Sequence, residues 1–166
     1  MRAYVGVLLL VALAVTAASA EVTLTSPAVT MVLTDQGAWK SLRSAAGTEF
    51  CVPEPTTAWA LALVGGKWRT ATAASLSQGV LRVTFADTDT ALAFAVQPAA
   101  QWLRLTLQGV TGARPERVQL RVPVRLLAHL GRRLNCAWDD DWAVCLLAAS
   151  PHPDCGASQS PTANLL

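Results

Sequence analysis

The chain has 166 residues, 52% of them apolar and only 14% charged, with a formal net charge of +2. Its basic residues are scattered singly apart from the Arg132-Arg133 doublet, which makes the chain a poor candidate for binding a nucleic-acid backbone, since that requires a clustered basic face. The length fits one domain with a real core, or a part of a larger one.

Residues 1–20 read as a secretory signal peptide. Arg2 supplies the positive start, Val5 to Val15 an almost unbroken apolar run, and Ala18-Ser19-Ala20 a small-x-small cleavage site. The run falls well short of the ~20 residues that span a bilayer, and no second run follows. A permanent N-terminal anchor is the alternative, which the short run and the good cleavage site disfavour. Cleavage leaves Glu21 as the first residue of a secreted or periplasmic protein with no membrane segment.

From Glu21 the dominant signal is period two. Val22 to Thr25 alternates, stops at Ser26-Pro27, and resumes over Val29 to Leu33. Asp35-Gln36-Gly37 turns the chain into Ala38 to Arg43. Ala58 to Val64 and Lys67 to Leu76 form a hairpin about Gly65-Gly66, where a primed turn needs positive φ at both central positions. That turn sets Trp68 opposite Leu63, and Trp59 opposite Thr72. Ser77-Gln78-Gly79 leads into Val80 to Phe85, and Asp87-Thr88-Asp89 into Ala91 to Val96, which Pro98 ends. Trp102 to Leu107 alternates strictly.

Val118 to Leu126 alternates across a loop from there, with Pro123 on the polar phase, so that this strand is an edge or carries a bulge. Ala128 to Leu134 is the one stretch that reads as a short helical turn. Trp142 to Ala148 is the last apolar strand. About ten short strands with tight turns predict an all-β fold, an antiparallel β-sandwich of supersandwich-like meander, over residues 21–150. Residues 151–166 show no strand pattern and read as an irregular tail or linker.

Four cysteines remain in the exported part, which favours disulfides over free thiols or a metal site; no C-x-x-C pair is present. Cys136 and Cys145 flank a hairpin and form the preferred bridge.

The segment from Thr25 to Phe50, TSPAVTMVLTDQGAWKSLRSAAGTEF, resembles the opening of the galactose-mutarotase-like β-sandwich. It shares the order strand, Asp35-Gln36-Gly37, strand, Gly47-Thr48-Glu49. Secreted bacterial carbohydrate-active proteins place such a module before a catalytic barrel or helical domain. The resemblance therefore implies the non-catalytic N-terminal part of a glycoside-hydrolase-like protein, possessing a catalytic domain beyond Leu166. Complete modules of this kind carry more strands, so the sandwich is incomplete on this reading. No catalytic residue carries over to this chain.

The densest polar cluster is Asp139-Asp140-Asp141 between Trp138 and Trp142. Three carboxylates at a turn offer oxygen ligands to a Ca²⁺, and flanking indoles offer faces on which a sugar ring stacks, which makes Trp138 to Trp142 the candidate carbohydrate-binding loop. The competing reading is a solvated hairpin turn with its tryptophans packed inward. Consecutive carboxylates point apart, so they are not the facing pair, ~5 to 9.5 Å apart, of a glycosidase. Glu54 and Glu116 are remote partners that nothing in the sequence links to them. His129 and His152 lack a named partner for acid–base work. No nucleophile elbow and no phosphate-cradling loop is present, Gly65-Gly66-Lys67 lacking the spacing. Of the six tryptophans, an exposed row would mark a binding face and buried ones the core.

Two function classes follow. One is a non-catalytic sandwich module of an exported carbohydrate-active protein, packing on a catalytic domain or contacting glycan. The other is a stand-alone secreted structural or adhesive β-domain, which requires a self-contained sheet with no exposed apolar edge.

Overall fold

The computed structural model describes residues 20–52, 57–125, 128–131, 135–147, 157–159 and 163–165. The signal segment, Glu54, Arg132-Arg133, His152 and Cys155 lie outside them. Every regular element among the described residues is a strand, and every strand pairing is antiparallel.

The first sheet is the meander of β1 (Glu21–Thr25), β2 (Val29–Thr34) and β3 (Trp39–Ser44). Its register aligns Val22 with Leu33, Leu24 with Met31, and Met31 with Leu42, so one face is apolar. Ser26 closes the first turn by accepting the Val29 N–H at 3.1 Å on its hydroxyl. Trp39 and Leu42 are three residues apart and a regular strand would aim them to opposite faces. A bulge at Val32/Leu33 takes up Lys40, and both residues are buried.

The second sheet has six strands in the order β8-β7-β6-β5-β4-β9. These are β4 (Ala60–Val64), β5 (Lys67–Ser77), β6 (Val80–Phe85), β7 (Ala91–Pro98), β8 (Leu103–Thr111) and β9 (Arg117–Leu120). Gly65 and Gly66, with φ of 57° and 72°, make the expected primed turn, and Leu63 faces Trp68 as the pairing rule requires. Trp59 does not face Thr72. It precedes β4, its N–H donates to Gly37 O and its carbonyl accepts from Arg121 N–H, while a bulge displaces Thr72.

Strands β9 and β8 are the two edges, yet residues 112–116 alone link them, a reach of about 20 Å at full stretch. A flat sheet of this width spans about 24 Å. The sheet is therefore curled. Its link crosses the β6–β7 turn, where Thr90 Oγ1 donates to Ala113 O at 2.7 Å and Asp89 Oδ1 accepts the Ala113 N–H at 3.0 Å.

The core lies between the inner faces of these two sheets. Leu24, Leu33, Trp39, Trp59, Leu81, Val83, Leu92 and Phe94 are all buried in it, with Trp59 set edge-on to Phe94 at 5.6 Å. The Trp39 indole N–H donates to Arg121 O, so the largest core side chain of β3 is also anchored by its polar atom.

The remaining strands correct the sequence reading at several points. Val118 to Leu126 is not one strand: β9 ends at Leu120, with the Arg121 N–H still donating to Trp59 O in the β4 register, and the chain restarts as β10 (Val122–Val124). Pro123 is consequently buried rather than on a polar phase, although β10 does form the edge of its own sheet. Ala128 to Leu134 is no helical turn where it is described, because His129–Gly131 forms β11 against β12 (Cys136–Trp138). The tail is not strandless: β14 (Ala157–Gln159) and β15 (Ala163–Leu165) pair with each other, and β15 with β10. Three-residue strands are too short to show a period; β15 sits between β10 and β14. The last apolar strand shortens to β13 (Ala143–Cys145).

Candidate functional site

The loop from Trp138 to Trp142 sits at the tip of the hairpin formed by β12 and β13. Cys136 and Cys145 are directly opposed in that hairpin and joined by a disulfide, as their flanking positions suggested. Just outside the bridge, Asn135 is buried and its side-chain amide donates to Leu146 O at 2.7 Å. The hairpin is thus closed at its base by a covalent bond and a buried hydrogen bond.

Its tip is closed by Asp139. The Asp139 N–H donates to Trp142 O at 2.9 Å. Its carboxylate Oδ1 accepts the N–H groups of Asp141 at 3.1 Å and Trp142 at 2.8 Å. This is a side-chain-capped turn, and one carboxylate of the three is committed to the backbone. Asp140 and Asp141 are exposed. Among the described residues no three His, Cys, Asp or Glu side chains converge on a point where a metal ion could sit. The residues therefore do not fit the Ca²⁺ expectation: a turn that spends its best oxygen on two N–H donors needs no cation to hold it.

The two indoles do not share a platform. Trp138 faces His129 and Ala143 across the strands, and its ring lies over the His129 imidazole at 5.4 Å and against Gly131. Trp142 turns the other way and meets buried Phe50 edge-on at 5.3 Å. Each is about a third exposed, at 37% and 36%. A single sugar ring cannot lie on both: Trp138 lies over the exposed His129, whereas Trp142 is set against buried Phe50.

Two polar groups that the sequence left unassigned have structural work. Glu49 accepts from the Ser41 hydroxyl, from the N–H groups of Leu42 at 2.8 Å and Cys51 at 2.9 Å, and from Arg43 Nε at 2.9 Å. Burial alone raises its carboxyl, and these bonds outweigh that and hold it below its ordinary value. The signal for it was the Gly47-Thr48-Glu49 turn. Glu116 Oε1 accepts the Gly66 N–H at 3.0 Å and so caps the β4–β5 hairpin. Buried Cys51 has its thiol pushed up to about 12, by burial and then by the Glu49 charge.

A second candidate surface is the β8 edge. Leu107 pairs with Phe94 and Val110 with Leu92, and both partners are buried, so Leu107 and Val110 belong to the core face of the sheet. Yet Leu107 is 49% exposed, and Val110 is also exposed. Beside them Leu103 and Leu105 pack only partly against the core. The apolar face of the large sheet runs out past the small sheet that covers it.

Compared with protein-family models, curated proteins and solved structures, the chain gives no match. No helix among the described residues is long and apolar enough to cross a membrane.

Proposed function

We propose that this chain is a non-catalytic β-sandwich module of an exported carbohydrate-active protein of the galactose-mutarotase-like kind. It packs on a catalytic domain through the β8 edge and contacts glycan at the Trp138 loop. The carrying observation is the uncovered apolar run of β8, with Leu107 and Val110 in core phase but exposed. A stand-alone structural or adhesive domain should finish its sheet, because an open apolar edge invites aggregation. The signal peptide, the Cys136–Cys145 bridge and the resemblance over Thr25 to Phe50 support the exported, carbohydrate-associated part of this reading.

The test is amide hydrogen exchange over Leu103–Thr111, in the exported protein and in this chain alone. Packing on a partner domain slows exchange at β8 in the exported protein relative to the isolated chain. Equal exchange in both removes the docking role of β8. In the isolated chain, Trp138→Ala weakens glycan retention in an affinity gel and leaves the fold intact. Retention unchanged by that substitution removes the loop from the glycan contact.

A further inference from the structure

The register of the six-stranded sheet also fixes its outer face, the one turned away from the core. Ala62, Leu81, Val83, Leu92 and Phe94 point inward. The alternate positions place Arg82, Arg104, Arg117 and Trp68 outward, with Arg117 and Trp68 in one row on either side of Leu63. All three arginines are exposed, and Trp68 is 48% exposed.

No carboxylate stands on this face. The neighbouring acids are at the sheet ends and engaged there: Asp87 with Arg69 at 2.9 Å, Asp89 with the Ala113 N–H, and Glu116 with the Gly66 N–H. Among the described residues the ion pairs are Lys40–Glu21, Arg43–Glu49 and Arg69–Asp87, and none involves the three outer arginines. Surface arginines normally alternate with acids. Here a whole sheet face carries one sign of charge in a molecule that is otherwise close to neutral.

The positions follow a diagonal across the strands, over the convex side of the curled sheet. Arg104 lies two strands and four residues from Arg82, about 17 Å, and Trp68 lies a further 20 Å or so beyond Arg82 toward Arg117. One small anion reaches only one of these groups, whereas a long flexible polymer that follows the convex outer face along this diagonal can reach several of them. Guanidinium groups clamp carboxylate or sulfate through paired N–H donors, and an exposed indole stacks on a sugar face. Exposed threonines on the same face, Thr106 and Thr111, add hydroxyls for a polar chain, and Arg82 Nη2 already donates to Thr111 Oγ1 at 3.2 Å.

We propose that the outer face of the six-stranded sheet binds an acidic polysaccharide along the diagonal Arg104, Arg82, Trp68, Arg117. The inference rests on the reading of the chain as part of a carbohydrate-active protein and names the glycan class it takes.

The test is affinity electrophoresis of the purified chain in gels holding polygalacturonate, a sulfated galactan or a neutral galactan, with duplex DNA as the charge control. The expected result is retardation by an acidic glycan and not by the neutral one; which acidic gel retards it tells carboxylate from sulfate. The variant R82Q/R104Q/R117Q should lose affinity by about tenfold or more at an unchanged thermal midpoint, and W68A should lose part of it. Retardation by DNA as strong as by acidic glycan, or affinity untouched in the triple variant, overturns the proposal. Binding of neutral glycan that depends on Trp138 overturns it too, while leaving the glycan contact of the loop standing. Binding to none of the three glycans removes both, and the β8 packing is then judged on exchange alone.

Discussion

Glu49 ties the end of β3 to the chain that follows it, taking four hydrogen bonds on one carboxylate. Its folded pKa is lowered, so the folded state holds fewer protons than the unfolded one at mildly acid pH. That contribution is complete above the unfolded carboxylate value of about 4.3 and is lost as pH falls through the lower folded value. Glu49→Gln is expected to cost about 1–2 kcal/mol in urea unfolding at neutral pH, at the low end for such a network because the group is partly exposed. It should also flatten the fall in stability between about pH 5 and pH 3. An unchanged acid profile contradicts this role. Gly112 is a second residue where the backbone decides. Its φ is +73°, and a Cβ there would lie 2.4 Å from Asp89 O. Gly112→Ala should cost about 2 kcal/mol or more, since positive φ and a backbone clash act together. A urea midpoint equal to the parent's contradicts the tight crossing of the link over the β6–β7 turn.

Among the elements, the disulfide hairpin of β12 and β13 makes the sharpest expectation. Cys136 and Cys145 are nine positions apart, and closing so short a loop restrains the unfolded chain by about 2–3 kcal/mol. Cys136→Ser with Cys145→Ser should lower stability by that order in denaturant, with exchange rising first over Cys136–Cys145. Loss of stability without local opening there contradicts it. The Gly65-Gly66 hairpin was legible near its turn because the turn signature fixes register there, and the disulfide hairpin because two cysteines flank it at short spacing. Other elements were obscured by bulges. Trp39 with Leu42, Ala71 with Ala74, and Leu107 with Val110 are each three apart yet share the core face, because a bulge inserts one residue between them. Period two breaks at each such place, and sequence alternation assigns one of the two to the wrong face. The break between β9 and β10 was hidden as well, since β10 leaves β4 and pairs with β15 instead, a partner far away in sequence. The candidate loop was found from its residue types, but the opposite commitments of Trp138 and Trp142 follow from His129 and Phe50, which only the fold brings near.

For the whole molecule, two sheets of unequal width enclose one core, and the wider one curls beyond its cover. Three surfaces result, each with a different task in the proposed function: an apolar β8 edge for a partner domain, a disulfide-closed loop with Trp138 at the surface, and an outer face charged only by arginine. The first is the central one, because it separates a module of a larger exported protein from a self-contained domain. The most direct measurement is the nucleotide sequence downstream of the Leu166 codon in the natural gene. A reading frame that runs on into a further folded domain is the expected result, and the β8 edge is then where that domain docks. A stop codon at that point contradicts the account, and the uncovered face of β8 would need another explanation.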